Sequence, residues 1–286
     1  MKLAIDRNAY PFDSRYFTRA DGTKQHYIDE GAGPTIVFVH GTPSWSFDFR
    51  NVVKSLRDRA RCVAVDHVGF GLSDKPPGAD YGVDAHVKRL EALISALNLG
   101  SFSLALHDFG GPIGLELAYR NPDRVNAFCI LNSRIGSAED DPEFQKLKTA
   151  LKSPVLPFLY RYMNFSPRFL MPASFGARKL SPALLLHYRR VFPNPDSRYG
   201  PLAFARSLLD DQKLFEAQWQ KRSALSDKKA ALIWGMADKW IGKRYLTRFQ
   251  SVFPLSKTLE LPDAGHFPQE ERPDEVSEAL AALIDV

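Results

Sequence analysis

Little cysteine, no long apolar run and no block of like charge mark this sequence, and each shortage removes a class of protein. Two cysteines in 286 residues, Cys62 and Cys129, cannot build a disulfide scaffold, and their spacing makes no zinc pattern. Both fall inside apolar runs that read as interior strands, which makes them buried free thiols and fits a reducing compartment. No stretch approaches the ~18 consecutive apolar residues of a membrane-spanning helix. Met1 to Tyr10 breaks its short apolar run with Asp6 and Arg7 and lacks the apolar core of a secretory signal. The expectation is a cytoplasmic protein without a membrane partner.

Charge and motif shortages exclude more. Lys and Arg number 38 against 33 Asp and Glu, a net of +5. The richest basic stretches, Arg57 to Arg61 and Lys221 to Lys229, are interrupted by apolar or acidic residues, too weak a footprint for a nucleic-acid protein. The seven histidines include no His-Glu-x-x-His pair. Gly69-Phe70-Gly71 lacks the third glycine of a dinucleotide loop, and no phosphate-binding Gly-Lys-Ser/Thr occurs. No metal, nucleotide or other cofactor is expected.

What is present is an alternation of strand and helix patterns in a chain of ordinary globular composition, 44% hydrophobic and 25% charged. Thr35 to Val39, Cys62 to Val65, Phe102 to Leu106 and Asn126 to Leu131 are solid apolar β-rich runs, as strands covered on both faces would be. Helical spacing separates them at Phe47 to Leu56, Val83 to Leu97 and Gly111 to Tyr119. From Gly136 to Gln220 the chain turns rich in Pro, Phe, Tyr and Arg with short helical patterns and no buried strand. Alternation then resumes: Ala230 to Trp234, a helix at Lys243 to Phe253, Lys257 to Leu261, and a final helix Pro273 to Ile284. The fold class is therefore α/β, a mostly parallel central sheet with helices on both faces. Residues 1–135 and 221–286 form the core, and 136–220 are a helical cap insertion. Such a sheet binds ligands at the carboxyl ends of its strands, where the insertion departs.

Three candidate catalytic residues stand just after three separate strands: Asp108 in Leu106-His-Asp-Phe-Gly-Gly111, Asp238 after Ala230-Ala-Leu-Ile-Trp-Gly-Met236, and His266 in Asp263-Ala-Gly-His266. Any one alone reads as a helix cap or a loop residue. Together, in the chain order nucleophile, acid, histidine, they read as a catalytic triad with a carboxylate at the nucleophile elbow. A carboxylate is already ionised at neutral pH and displaces a leaving group from a saturated carbon, which makes an ester of the aspartate. His266, oriented by Asp238, then deprotonates the water that opens this ester. The oxyanion arises on the enzyme's own carboxyl group, and the backbone N–H groups of Thr42 and Phe109 are the expected donors. Asn132-Ser133, at the end of Asn126 to Leu131, carries no acid to compete with Asp238.

These residues, with His40 to Arg50 (HGTPSWSFDFR), Val65 to Pro76 (VDHVGFGLSDKP), Gly235 to Trp240 (GMADKW), Asp263 to Pro273 (DAGHFPQEERP) and Tyr188 to Leu208, resemble the haloalkane dehalogenase and epoxide hydrolase branch of the α/β-hydrolase fold. The resemblance spans nearly the whole chain and implies Asp108 as nucleophile, His266 as base and Asp238 as its acid. It also shows two departures at the leaving-group site. The family usually follows the nucleophile with Trp, whose indole donates to the halide, and here stands Phe109. The second donor is commonly an Asn after His-Gly or a cap Trp; this chain has Thr42, and no Trp between Gly136 and Gln218. Slow or absent turnover of alkyl chlorides is expected.

Four alternatives follow. An epoxide hydrolase would use cap tyrosines, with Tyr160, Tyr162, Tyr188 and Tyr199 as candidates. A haloacid enzyme would be expected to place Arg after the nucleophile, which Phe109 is not. A β-lactone decarboxylase-like enzyme shares the HGTPSW and DHVGFGLSDKP stretches and the Leu131-Asn132 end. A binding protein on a hydrolase scaffold would make no covalent adduct. Trp45, Phe47, Phe165, Phe169 and Leu170, with Phe109, are expected to line an apolar pocket for a medium-sized, uncharged organic substrate. His67 and His107 read as turn and elbow packing; His26, His86 and His187 have no assigned role.

Overall fold

The computed structural model describes residues 5–284; the first four residues of the N-terminal stretch and the last two of the chain lie outside them. The strands are β1 Arg15–Thr18, β2 Lys24–Glu30, β3 Thr35–Val39, β4 Arg61–Val65, β5 Phe102–Asp108, β6 Val125–Ser133, β7 Lys229–Gly235 and β8 Lys257–Leu261. They form one sheet in the order β1-β2-β4-β3-β5-β6-β7-β8. The β1–β2 and β2–β4 pairs are antiparallel and every later pair is parallel. The five central strands bury almost every side chain, which is why they stand out as unbroken apolar runs. The two antiparallel strands at one edge, Arg-Tyr-Phe-Thr and Lys-Gln-His-Tyr-Ile-Asp-Glu, are partly exposed and mostly polar, so no such run announces them.

In the core the helices are α1 Arg50–Leu56, α2 Val83–Ala96 and α3 Gly110–Arg120. Ser46–Phe49, expected as the start of α1, is a separate 3-10 turn. Between β6 and β7 the described residues form no strand but six helices: α4 Pro142–Leu151, α5 Leu156–Met163, α6 Met171–Ala173, α7 Pro182–Arg190, α8 Tyr199–Asp210 and α9 Gln212–Gln220. A π-helical turn, Ser166–Leu170, runs directly into α6. After β7 come α10 Lys243–Val252, α11 Pro268–Glu271 and α12 Pro273–Ile284. α1 packs on α12 and α2 on α3, giving the helical layers that cover the two faces. Among the described residues no helix is long and apolar enough to cross a membrane.

The strand order locates the ligand crevice. From β3 the chain goes to β4 on one side, whereas from β5 it goes to β6 on the other. The connections thus diverge between the carboxyl ends of β3 and β5, the switch point at which an open parallel sheet leaves a cleft. Thr42 follows β3 and Asp108 ends β5, so both rim that cleft.

Candidate active site

Asp108 is the last residue of β5, and α3 begins two residues later, so the chain reverses within one residue. Its φ of 50° lies in the left-handed region, at a cost of roughly 1–3 kcal/mol for a residue with a Cβ. Surroundings hold it there. The Ser133 hydroxyl donates to the Asp108 carbonyl at 2.6 Å, where the β5–β6 register slips by one residue. Two glycines make the turn possible. A Cβ on Gly111 would meet Ser133 Oγ at 1.8 Å, and one on Gly41 would meet Asp108 Oδ2 at 2.3 Å. The carboxylate is 5% exposed, and the backbone N–H of Thr42 donates to its Oδ2 at 2.8 Å.

His266 Nε2 stands 3.8 Å from Asp108 Oδ1, beyond direct hydrogen-bond reach, while its Nδ1 lies 2.7 Å from Asp238 Oδ2. The imidazole is fixed through its backbone on both sides: its N–H donates to the Ser174 carbonyl at 2.8 Å, and its own carbonyl lies 2.7 Å from His107 Nε2. His107 thus does more than pack the elbow. Burial works to lower the His266 pKa, but the Asp238 carboxylate beside it, and Asp108 beyond, outweigh it and raise the pKa above the ordinary histidine value. Asp238 shows the mirror effect, its burial overcome by His266 and by backbone donors so that its pKa is lowered.

Asn132, noted in the sequence only for carrying no competing charge and for the Leu131-Asn132 end, has a role at the site that sequence reading did not find. It too has positive φ, 27°. Its Nδ2 donates to Asp238 Oδ2 at 2.9 Å and to the Gly235 carbonyl at 3.0 Å, and its Oδ1 accepts from Gly235 N–H at 2.7 Å. With Trp240 N–H donating to Asp238 Oδ1 at 2.8 Å, the acid is held from both oxygens. The amide cannot carry charge, but it fixes the group that does.

A cavity of about 340 Å³ joins these groups to the helices between β6 and β7. Asp108, His266, Thr42 and Phe109 line it from the core, and Leu147, Leu151, Leu156, Tyr160, Phe165, Ser166, Leu170 and Ala205 line it from the inserted segment. The Thr42 hydroxyl is buried there without a hydrogen-bond partner. Phe165 and Leu170 therefore sit where the sequence places them. Trp45, Phe47 and Phe169 do not. Trp45 and Phe47 stack on each other at 5.2 Å inside the core, against Tyr10, His187 and Tyr188, and neither lines the cavity. Phe169 is 43% exposed on the outer side of the π-helical turn.

Of the four tyrosines, only Tyr160 lines this cavity. Tyr162 is exposed, Tyr188 is buried with its hydroxyl on Glu270, and Tyr199 lies under the Arg161 guanidinium at 4.3 Å. Arg134 also lines the cavity, one residue beyond Asn132-Ser133 and buried to 6% exposure. Its charge stands in a pocket expected to be apolar, and its place at a strand's carboxyl end was the available signal. Among the described residues no group of three or more His, Cys, Asp or Glu is placed to hold a metal ion.

The chain is similar to known proteins. The family model of the alpha/beta hydrolase fold matches residues 34–273. The chain is 36% identical to haloalkane dehalogenase 2 of Mycobacterium tuberculosis, over 96% of both chains. It is 34% identical to a cis-3-alkyl-4-alkyloxetan-2-one decarboxylase of Shewanella oneidensis, over 93% of this chain and 86% of the relative. A solved haloalkane dehalogenase from Agrobacterium tumefaciens superimposes with a TM-score of 0.83 at 29% identity, over 95% of this chain and 96% of that one.

Proposed function

We propose, for a chain that belongs to the alpha/beta hydrolase family and is haloalkane dehalogenase-like, a hydrolase that works through an ester of Asp108 and carries an atypical leaving-group site. One observation supports this most: a buried carboxylate at the strand-to-helix bend, with a backbone donor 2.8 Å from one oxygen and an imidazole 3.8 Å from the other. Asp108 Oδ1 attacks a saturated carbon of a small organic substrate, the carbon–halogen bond breaks, and the halide leaves with its electron pair. His266 Nε2 then takes a proton from water, whose oxygen adds to Asp108 Cγ. Negative charge gathers on Oδ2, against the Thr42 N–H and, we infer, that of Phe109. The tetrahedral centre collapses by breaking Cγ–Oδ1, His266 returns the proton, and the alcohol departs. Asp238, held by Asn132, balances the imidazolium that forms in between.

Residues 136–220 serve as the cap of this site, since their helices supply most of its apolar wall. The leaving halide meets the unpartnered Thr42 hydroxyl and the Phe109 ring, which stacks on Phe204 at 4.4 Å and has no N–H to offer. One missing donor at such a site is worth roughly 10²–10³ in rate. The poorer leaving group suffers more from that loss, so bromide release from 1-bromobutane is expected to exceed chloride release from 1-chlorobutane, measured as halide produced. Equal rates would remove the atypical halide site, and no release from either would remove the dehalogenase reading.

A second reading, opening of a strained oxygen ring at Asp108, draws on the 34% identity to the oxetanone decarboxylase. Tyr160, inside the cavity, is its candidate donor to a ring oxygen. An oxetan-2-one and styrene oxide, assayed by loss of the ring compound and appearance of its product, decide it: turnover of either, without halide release from bromoalkanes, makes this the reaction.

A further inference from the structure

We propose that Arg134 is a specificity residue whose guanidinium binds a carboxylate carried by the substrate at the end remote from the reacting carbon. The inference rests on the reading of Asp108 as the reacting group, and it names the class of substrate that group meets.

Three other buried or half-buried arginines are partnered, while Arg19 and Arg89, outside this cavity, also leave guanidinium nitrogens unpaired. Arg50 pairs with Glu270 in the core. Arg61 grips Asp29 through two bonds of 2.8 and 2.7 Å, and Arg248 donates to the Ser137 carbonyl at 2.6 Å. Arg134 is the one of these unpaired arginines that lines the cavity of Asp108 and His266. Among the described residues it has no hydrogen bond and no ion pair, its Nε is buried without a partner, and its one ring contact is to Tyr245 at 5.5 Å. A guanidinium does not lose its proton in a protein. A full charge therefore sits on a residue only 6% exposed, with its Nε unused, in a cavity it shares with Asp108 and His266. Unsatisfied buried charge is rare in folded proteins unless a ligand completes it.

The shape of the donor set and of the wall identifies that ligand. The planar fork of a guanidinium fits a carboxylate with two parallel bonds, a match that a spherical ion does not use. Leu147, Leu151, Leu156, Phe165 and Leu170 make the rest of the wall hydrocarbon. A short alkyl chain with a carboxylate at one end and a leaving group at the other meets all three features. The body of the substrate is then apolar, as expected from the sequence, but its charged head departs from the uncharged substrate expected there.

The test needs no turnover. Binding of hexanoate and of hexanamide to the native protein is measured by calorimetry, with sodium bromide as a third ligand. Hexanoate is expected to bind roughly tenfold or more tightly than hexanamide, the effect of bonds to a charged group. In Arg134→Leu this preference is expected to vanish, and in Arg134→Lys to survive in part. Among substrates, 6-bromohexanoate is expected to show a lower KM than 6-bromohexanamide in the native enzyme. Equal binding of acid and amide to the native protein would overturn the proposal, whether or not a variant folds. So would bromide binding as tight as that of hexanoate and lost in Arg134→Leu, because Arg134 would then serve the leaving ion. Hexanoate binding without turnover of any bromoalkane would uphold the anion site and defeat the proposed reaction; bromoalkane turnover without hexanoate selectivity would do the reverse.

Discussion

Replacing Asp108 with alanine is expected to lower turnover of every accepted substrate by roughly 10⁴-fold or more, the scale on which loss of a covalent nucleophile is felt. No neighbour can substitute for it. Asp238 is committed to His266 and Asn132 on one oxygen and to Trp240 on the other. Alanine also leaves the Thr42 N–H without its acceptor, so some stability is lost as well. Asp108→Asn separates the two effects. Its amide oxygen can still accept from Thr42, so thermal unfolding is expected to stay near that of the native protein while activity falls as far. Measured rates within tenfold of native in both variants would show that Asp108 does not react.

The second large effect belongs to His266. Without its base the ester still forms, since an ionised carboxylate attacks unaided, but it is not hydrolysed. His266→Gln is expected to release about one equivalent of bromide per protein and then fall behind the native steady-state rate by roughly 10³–10⁴-fold, as the other triad losses do. Intact-protein mass spectrometry should show the added alkyl group on Asp108. In the native enzyme the same residue sets the pH response. The base must be neutral to act, and its pKa is raised by Asp238 over the opposing effect of burial. Ester hydrolysis should therefore rise with pH along a limb displaced above the ordinary histidine range. In Asp238→Asn that limb should move down in pH, with a lower plateau. For stability the sign is opposite: a raised histidine pKa favours the fold below the unfolded value and loses that contribution as pH climbs through the folded one.

The parts of this molecule that were legible in its sequence are those where one requirement dominates. Strands covered on both faces must be apolar throughout, so β3 falls on the expected residues and β4 to β7 within two residues of them, while the mostly exposed β8 also falls where the strand–helix alternation places it. Asp108, Asp238 and His266 were visible because strand ends present side chains to a common cleft, and the structure does bring them together. The polar edge strands β1 and β2 were not, since half-buried pairing leaves no apolar run to read. Nor was the direction of an aromatic side chain. Trp45 and Phe165 look alike as letters, and each just precedes a short helical turn, yet the first is buried in the core while the second lines the cavity. Asn132 and Arg134 show a subtler limit. Both sit at the end of β6, but what each does depends on partners more than a hundred residues away, Asp238 for one and Tyr245 for the other.

A single turnover in water enriched in ¹⁸O, with enzyme in excess over 1-bromobutane, addresses the ester most directly. If the substrate carbon is first bonded to Asp108, the alcohol leaves with an oxygen of that side chain. The first product is then unlabelled and the heavy isotope appears in the peptide containing Asp108. Labelled alcohol in that first turnover, with an unlabelled Asp108 peptide, would mean that water attacks the substrate directly, and the covalent route would be contradicted.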